Sequence, residues 1–157
     1  MIFLPKMKQI KLTQNKVALV DDEDYDYLIQ RKWCAVNFHG YFYASTTIGD
    51  KQQLMHRVIL NAPKGTIIDH IDHNGLNNQR NNLRFCTYGQ NAVNRIKKTG
   101  RSKYSGVWIC NNRFRAGIRV NGILMNLGTF NCECDAANAY DKAAKKYYGE
   151  FANINFK

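Results

Sequence analysis

The sequence predicts an α+β chain built from small antiparallel units. Three observations carry this. Short stretches alternate apolar and polar residues between turns containing Asn or Gly, a long polar loop separates two further strand-like stretches, and a run of alanines and tyrosines recurs at helical spacing near the C-terminus. With 157 residues there is room for one ordinary domain or two to three very small ones. The expected divisions are a small αβ unit over residues 1–50, a second unit over 51–98, and a linker with a third unit over 99–157.

In the first unit, Ile10, Leu12, Val17 and Leu19 suggest two short strands around a turn at Gln14–Asn15. Asp21 or Asp22 caps a short helix holding Tyr25, Leu28 and Ile29, and the acids of the run DDEDYD sit favourably near its N-terminus. That run lacks the alternating oxygen ligands and distal Glu of a calcium loop, so a capped, solvated face is the preferred reading. Trp33–Phe38 and Tyr41–Ala44 follow as a hairpin turned at His39–Gly40.

The second unit opens with a predicted helix from Gln52 to Leu60, ended by Pro63 and Gly65. Thr66 to Ile68 runs as a strand into Asp69 and His70. A polar loop spans Asp72 to Asn82, Leu83 to Cys86 returns as a strand, and Thr87 caps a helix over Tyr88 to Lys97. In the third unit, Ser105–Cys110, Arg113–Val120 and Ile123–Phe130 form a sheet, joined through Asn111–Asn112 and the hairpin signal Asn121–Gly122. Arg113, Arg115, Gly117 and Arg119 share one face of the middle strand. Ala136, Ala137, Tyr140, Ala143, Ala144 and Tyr147 mark a helix whose small residues let it lie close against that sheet, and Gly149 ends it.

Composition narrows the partners. The formal net charge is +11, and no Asp or Glu occurs between His73 and Asn131, where Arg80, Arg84, Arg95, Lys97, Lys98, Arg101, Lys103, Arg113, Arg115 and Arg119 all fall. Such a block attracts a polyanion. It lacks the broad apolar face that a membrane-surface helix needs, so nucleic acid is the expected partner and no membrane is. No apolar run is long enough to span a bilayer, and MIFLPKMKQIKL has no basic stretch followed by an apolar core; the expectation is a cytoplasmic protein of a bacterial or phage-infected cell. Five cysteines without matched spacing argue against a disulfide framework, and Cys132 and Cys134 have no second pair with which to hold zinc.

The chemistry centres on Asp69, His70, Asn82 and Asn91. A carboxylate beside an imidazole, on a loop leading back to a basic helix, suits phosphodiester hydrolysis. Asp69 and the amide oxygen of Asn91 can hold a hard divalent ion, and an oxygen donor set points to Mg²⁺ or Mn²⁺ over zinc. His70, neutral near pH 7, can take a proton from water. A structural Asp–His pair is the competing account of these two residues alone, and a nucleophilic Cys–His pair has nothing behind it beyond Cys86.

The wider pattern is more specific. Met55-His56-Arg57, the run Ile68-Asp69-His70-Ile71-Asp72-His73-Asn74-Gly75-Leu76 through Asn82-Leu83-Arg84, Thr87 and Gln90-Asn91 closely resemble HNH nucleases, nearest to phage and intron-encoded homing endonucleases. The resemblance implies a ββα-metal unit around one divalent ion. It makes Asp69 the first metal ligand, His70 the general base and Asn82 the residue that braces the loop and orients the base. Asn91 stands where many members carry a final His, which implies the HNN variety found in homing nickases and favours one Mg²⁺ or Mn²⁺ per site. Arg57 and Arg84 match basic positions that touch phosphates. His73 is either a phosphate or metal contact or an incidental loop residue, and His56 either an accessory group at the site or a packing residue of its helix.

The third unit resembles an AP2 domain through Tyr104-Ser105-Gly106-Val107-Trp108, Arg113-Phe114-Arg115-Ala116, Leu127-Gly128-Thr129-Phe130, Ala136–Ala144, Tyr148-Gly149 and Ala152–Phe156. The resemblance implies a three-stranded sheet, backed by a helix, that enters the major groove. Arg113, Arg115 and Arg119 would then reach guanine edges or phosphates, with Trp108 packed over the backbone. The first unit more loosely resembles leaders that precede such nuclease domains; it either packs on the nuclease core or extends the DNA footprint through Tyr41, Tyr43 and Lys51.

The reading is therefore a metal-dependent endonuclease on double-stranded DNA, a homing nickase by resemblance, against a sequence-specific DNA-binding regulator that does not cut. An RNA-binding sheet would expose aromatic rings where this one exposes arginines. One chain carries one expected site, so a monomer would nick one strand and a symmetric dimer would cut both; without a long heptad pattern the monomer is favoured.

Overall fold

A computed structural model describes residues 7–94 and 102–156. Its architecture is α+β, with four small sheets whose ladders are all antiparallel. The chain divides into two compact units, residues 1–87 and 88–157.

In the first unit, β1 (Met7–Lys11) and β2 (Val17–Asp21) form a hairpin, followed by helix α1 (Asp22–Leu28). The turn residues Gln14 and Asn15 both take positive φ, 60° and 53°, which matches the right-handed twist of the flanking strands. The turn also docks on the next sheet, where Gln14 Nε2 donates to Ala35 O at 3.0 Å and Ala35 N to Thr13 Oγ1 at 2.9 Å. That sheet holds β3 (Cys34–Phe38), β4 (Tyr41–Ile48) and β5 (Lys51–Leu54), with the β3–β4 turn at His39–Gly40 as expected.

The helix expected over Gln52–Leu60 is corrected. Only α2 (Met55–Ile59) is helical, because Gly49, at φ 58°, turns the chain back and Lys51 to Leu54 pair with Ile48 to Ser45. Ladder bonds to β4 outweigh the helical preference of the two glutamines. Asn61, at φ 43°, ends α2 before Pro63 is reached.

β6 (Ile67–His70) and β7 (Leu83–Cys86) complete the unit as a two-stranded ribbon with Asp69 opposite Arg84 and His70 opposite Leu83. One core runs beneath all of this: Ile10, Ala18, Val20, Leu28, Trp33, Ala44, Met55, Ile59 and Leu83 are buried together. The expected boundary at residue 50 thus separates no cores, and the N-terminal strands pack with residues 51–87 as one body.

The second unit begins with α3 (Tyr88–Asn94) and continues with β8 (Val107–Cys110), β9 (Arg113–Val120) and β10 (Ile123–Phe130), in spatial order β10-β9-β8, then α4 (Glu133–Tyr148). Ala116, Ile118, Ala136, Ala137 and Ala144 are almost fully buried between sheet and helix, as small residues allow. Asp141, buried on α4, clamps the tail: its carboxylate accepts from Asn155 N at 2.8 Å and Phe156 N at 2.9 Å, and Asn155 Oδ1 accepts from Ser105 N at 2.7 Å. Among the described residues no helix is long and apolar enough to cross a membrane.

Gly75 is required by contact and not by its φ. A Cβ there would lie 2.5 Å from Phe42 O and 2.6 Å from the Tyr43 ring. Gly75→Ala is expected to lower the stability of the chain by roughly 1–3 kcal/mol through overpacking, read as a lower denaturant midpoint at unchanged slope; an unchanged midpoint would show that the loop yields freely.

Candidate active site

The centre of the first unit is a buried polar cluster on the β6–β7 ribbon. Asp69 and His70 are each only 6% exposed. Arg84, facing Asp69 across the ladder, donates to its Oδ2 from Nη2 at 2.7 Å and from Nε at 3.0 Å. His70, one residue on, points to the opposite side of the ribbon, as strand alternation demands. Its ring meets His56 of α2 edge-on at a centroid distance of 5.0 Å and Tyr43 of β4 at 5.8 Å.

Burial keeps both imidazoles neutral. It pushes His56 down to about 3, helped by the neighbouring His70 and Arg57. It also pushes His70 below its ordinary value, against the opposing influence of a hydrogen bond with Asn78 and the charges of Asp72 and Asp69. A neutral imidazole can accept a proton, and His70 holds that state over a wider pH range than an exposed histidine.

The loop between β6 and β7 is tightly determined. Asn82 Oδ1 accepts from Asp72 N at 3.0 Å, while its Nδ2 donates to Asp72 Oδ1 at 2.9 Å and Asn77 O at 2.8 Å. Burial pushes the Asp72 carboxyl up, but hydrogen bonds from Asn77, the Asn74 amide and Asn82 outweigh it and leave its pKa below 3.8. His73 takes φ 64° and its amide donates to His70 O at 3.0 Å, closing the first turn of the loop.

The far half of the loop is tied to the N-terminal strands. Leu19 N donates to Leu76 O and Asn78 N to Leu19 O, both at 2.8 Å. Asp21 accepts from Gln79 Nε2 at 3.1 Å and Arg80 N at 2.8 Å, and Asp24 pairs with Arg80 through contacts of 2.7 and 2.9 Å. This corrects the reading of DDEDYD as a capped, solvated face: the Asp21 side chain makes no cap hydrogen bond, and Asp21 and Asp24 are buried loop anchors. The signal was the basic Arg80 in a loop whose one acid, Asp72, is taken up by Asn74, Asn77 and Asn82, so that Arg80 needed an acid from elsewhere in the chain.

The remaining predicted residues are placed as follows. Arg57 directs its guanidinium to Thr66 O and Pro63 O, both at 2.7 Å, and so holds the turn after α2. Tyr43 lies in the histidine cluster, whereas Tyr41 and Lys51 are exposed. In the second unit, Asn91 is half-buried on α3. Arg113, Arg115 and Arg119 are exposed along β9, while Arg119 also donates to Gly122 O at 2.8 Å. Trp108, across the ladder from Arg115, lies over Gly117, where a Cβ would come within 2.8 Å of its ring. Lys103 stacks on Tyr104 at 5.0 Å. Arg95, Lys97, Lys98 and Arg101 lie outside the described residues.

The stretch from the end of β5 through β7 into α3, residues 54–93, matches the family model for HNH endonuclease. This stretch is an HNH endonuclease domain. A similar protein, an uncharacterized HNH endonuclease of Acanthamoeba polyphaga mimivirus, is 39% identical over 93 residues, which cover 59% of this chain and 49% of that protein. The chain thus spans about half the length of that relative. Within the HNH domain, Asp69, His70 and Asn82 come from the ribbon and its loop, and Asn91 from the helix that follows.

Because His56 stays neutral down to about 3 in the folded chain but titrates near 6.5 when unfolded, the unfolded chain binds the extra proton between those values. Stability is therefore expected to fall as pH drops below about 6.5, by roughly 2 kcal/mol at about pH 5 from this residue alone. Urea midpoints at neutral and acidic pH should show the loss, with a shallower pH slope in His56→Phe; equal slopes in the two proteins would contradict a buried neutral His56.

Proposed function

We propose that the chain is a DNA endonuclease that uses one hard divalent cation, Mg²⁺ or Mn²⁺, and acts as a homing nickase. The observation that carries the reading is the adjacent pair Asp69 and His70, both buried in the HNH domain, one ionically paired and the other held neutral by its surroundings.

His70 is assigned the proton of the attacking water, which its neutral imidazole accepts. Asn82 is a positioning residue: its three hydrogen bonds to Asp72 and Asn77 fix the loop leaving His70. Asp69 and Asn91 are assigned to the cation. The donor chemistry fits, since a carboxylate and an amide oxygen suit an ion that keeps much of its water. Asp69 already holds a cation, the guanidinium of Arg84 at 2.7 Å. Among the described residues no group of three or more His, Cys, Asp or Glu offers an alternative metal centre. When bound, the metal would stabilise charge on the scissile phosphate and the leaving 3′ oxygen.

The sheet β8–β10 is assigned to duplex DNA as an AP2-like domain. Its support is one exposed face carrying Arg113, Arg115, Arg119 and Trp108, opposite the face covered by α4. A single site per chain favours nicking by a monomer.

A second reading, a DNA-binding regulator that does not cut, is favoured by the Asp69–Arg84 pair, which engages the carboxylate on its own. Supercoiled DNA bearing a candidate insertion site separates the two. Open circles are expected with Mg²⁺ or Mn²⁺, none with EDTA, and a rate loss of roughly 10²-fold or more in His70→Ala. Early linear product would point to paired sites, and tight binding without any cutting in either metal would establish the regulator.

A further inference from the structure

The first unit carries a basic cleft that the nuclease chemistry does not use. β3 begins at Cys34, opposite Ser45, so the β4 edge from Thr46 to Ile48 runs on past the start of β3. The chain leading into β3 passes beside this open edge and leaves a cleft of about 470 Å³ whose lining includes Arg31, Lys32, Cys34, Ser45, Thr46 and Gln52. No carboxylate lines it.

Two features make this more than a charged surface. First, the basic segment is fixed: Thr46 Oγ1 donates to Lys32 O at 2.8 Å, Arg31 N to Leu28 O at 3.2 Å, and the Arg31 guanidinium stacks on Tyr27 at 4.6 Å. Second, Ser45 is only 2% exposed, and its Oγ has no hydrogen-bond partner among the described residues. An unsatisfied buried hydroxyl is costly and uncommon, and one lining a cleft with two cations is suited to a ligand that accepts hydrogen bonds.

We propose that this cleft binds one phosphate group. Arginine, lysine, hydroxyl and amide groups are the side chains that contact nucleic-acid phosphates, and here they line one cleft without a competing acid. The favoured source is a phosphodiester of the duplex DNA, a choice that rests on the nuclease reading; the same chemistry would also hold free inorganic phosphate. The site gives the N-terminal sheet a part in fixing the register of DNA against the HNH domain.

The test is duplex-oligonucleotide binding in EDTA over a range of salt, by fluorescence anisotropy, with the full chain. The double variant Arg31→Gln/Lys32→Gln is expected to bind about tenfold more weakly at low salt, with a log K against log salt slope shallower by about 1. Lys145→Gln, which removes an exposed charge from α4, should leave the slope as it is. Ser45→Ala is expected to weaken binding while its own unfolding midpoint stays level or rises, a split that a purely structural hydroxyl would not produce.

A second arm measures the unfolding midpoint in inorganic phosphate. If phosphate stabilises the wild type but not the double variant, and the DNA slopes agree, the site stands and its ligand is the free ion. If neither the slope nor the phosphate effect changes, the proposal is overturned. Cleavage by the wild type is read separately. A protein that cuts while the double variant binds DNA and phosphate normally refutes this site alone, whereas one with the expected slopes that never cuts refutes the nuclease reading alone.

Discussion

A buried carboxylate and a buried imidazole stand on a ribbon of only two strands, and such a ribbon has little stability of its own in water. Everything else in the first unit answers that constraint. Asp21 and Asp24 reach from β2 and α1 to hold Gln79 and Arg80, Leu19 pairs through its backbone with Leu76 and Asn78, and Asn82 closes the loop on itself through Asp72 and Asn77. Tyr43 and His56 then cover His70 from the neighbouring sheet and helix. β1, β2 and α1 thus share one buried core with Met55, Ile59 and Leu83 of the strands and helix that follow.

The same packing sets the protonation states. A histidine beside Asp69 and Asp72 in open water would be drawn towards its charged form, yet burial is the larger influence and His70 stays below its ordinary pKa. Asp69 is treated differently by its surroundings, although the two residues adjoin. Strand alternation sends it to the other side of the ribbon, where Arg84 compensates its charge at 2.7 Å. One step along a β-strand thus sets a buried imidazole and an ion-paired carboxylate on opposite sides of the ribbon.

Much of this was legible in local sequence. The hairpin turns at Gln14–Asn15, His39–Gly40 and Asn121–Gly122 follow from residues that tolerate positive φ, and the arginine face of β9 follows from strict alternation. Long-range partners were not legible. Gln52 and Gln53 read as helix because nothing in the local pattern reports their pairing with Thr47 and Thr46. Asp21 and Asp24 read as solvated because their partners lie more than fifty residues away, at Gln79 and Arg80. The family resemblance implies a phosphate-touching role for Arg57, while its guanidinium serves the carbonyls of Thr66 and Pro63.

The disposition of charge explains how so basic a chain can still hold acids near its centre. Three of the five acids of DDEDYD form ion pairs within the first unit, Asp22 with Lys8 at 2.6 Å, Glu23 with Arg80 at 2.8 Å, and Asp24 with Arg80 at 2.7 Å. The arginines of β9 stay exposed, the condition in which a cation can trade counterions for phosphates. Binding and chemistry thus make opposite demands on solvent. Attraction to a polyanion needs cations at the surface, where desolvation costs little. On the proposed mechanism, the neutral state of His70 rests on its burial. On the proposed reading, the exposed arginines of β9 and the buried Asp69–His70 pair of the β6–β7 ribbon meet these demands separately.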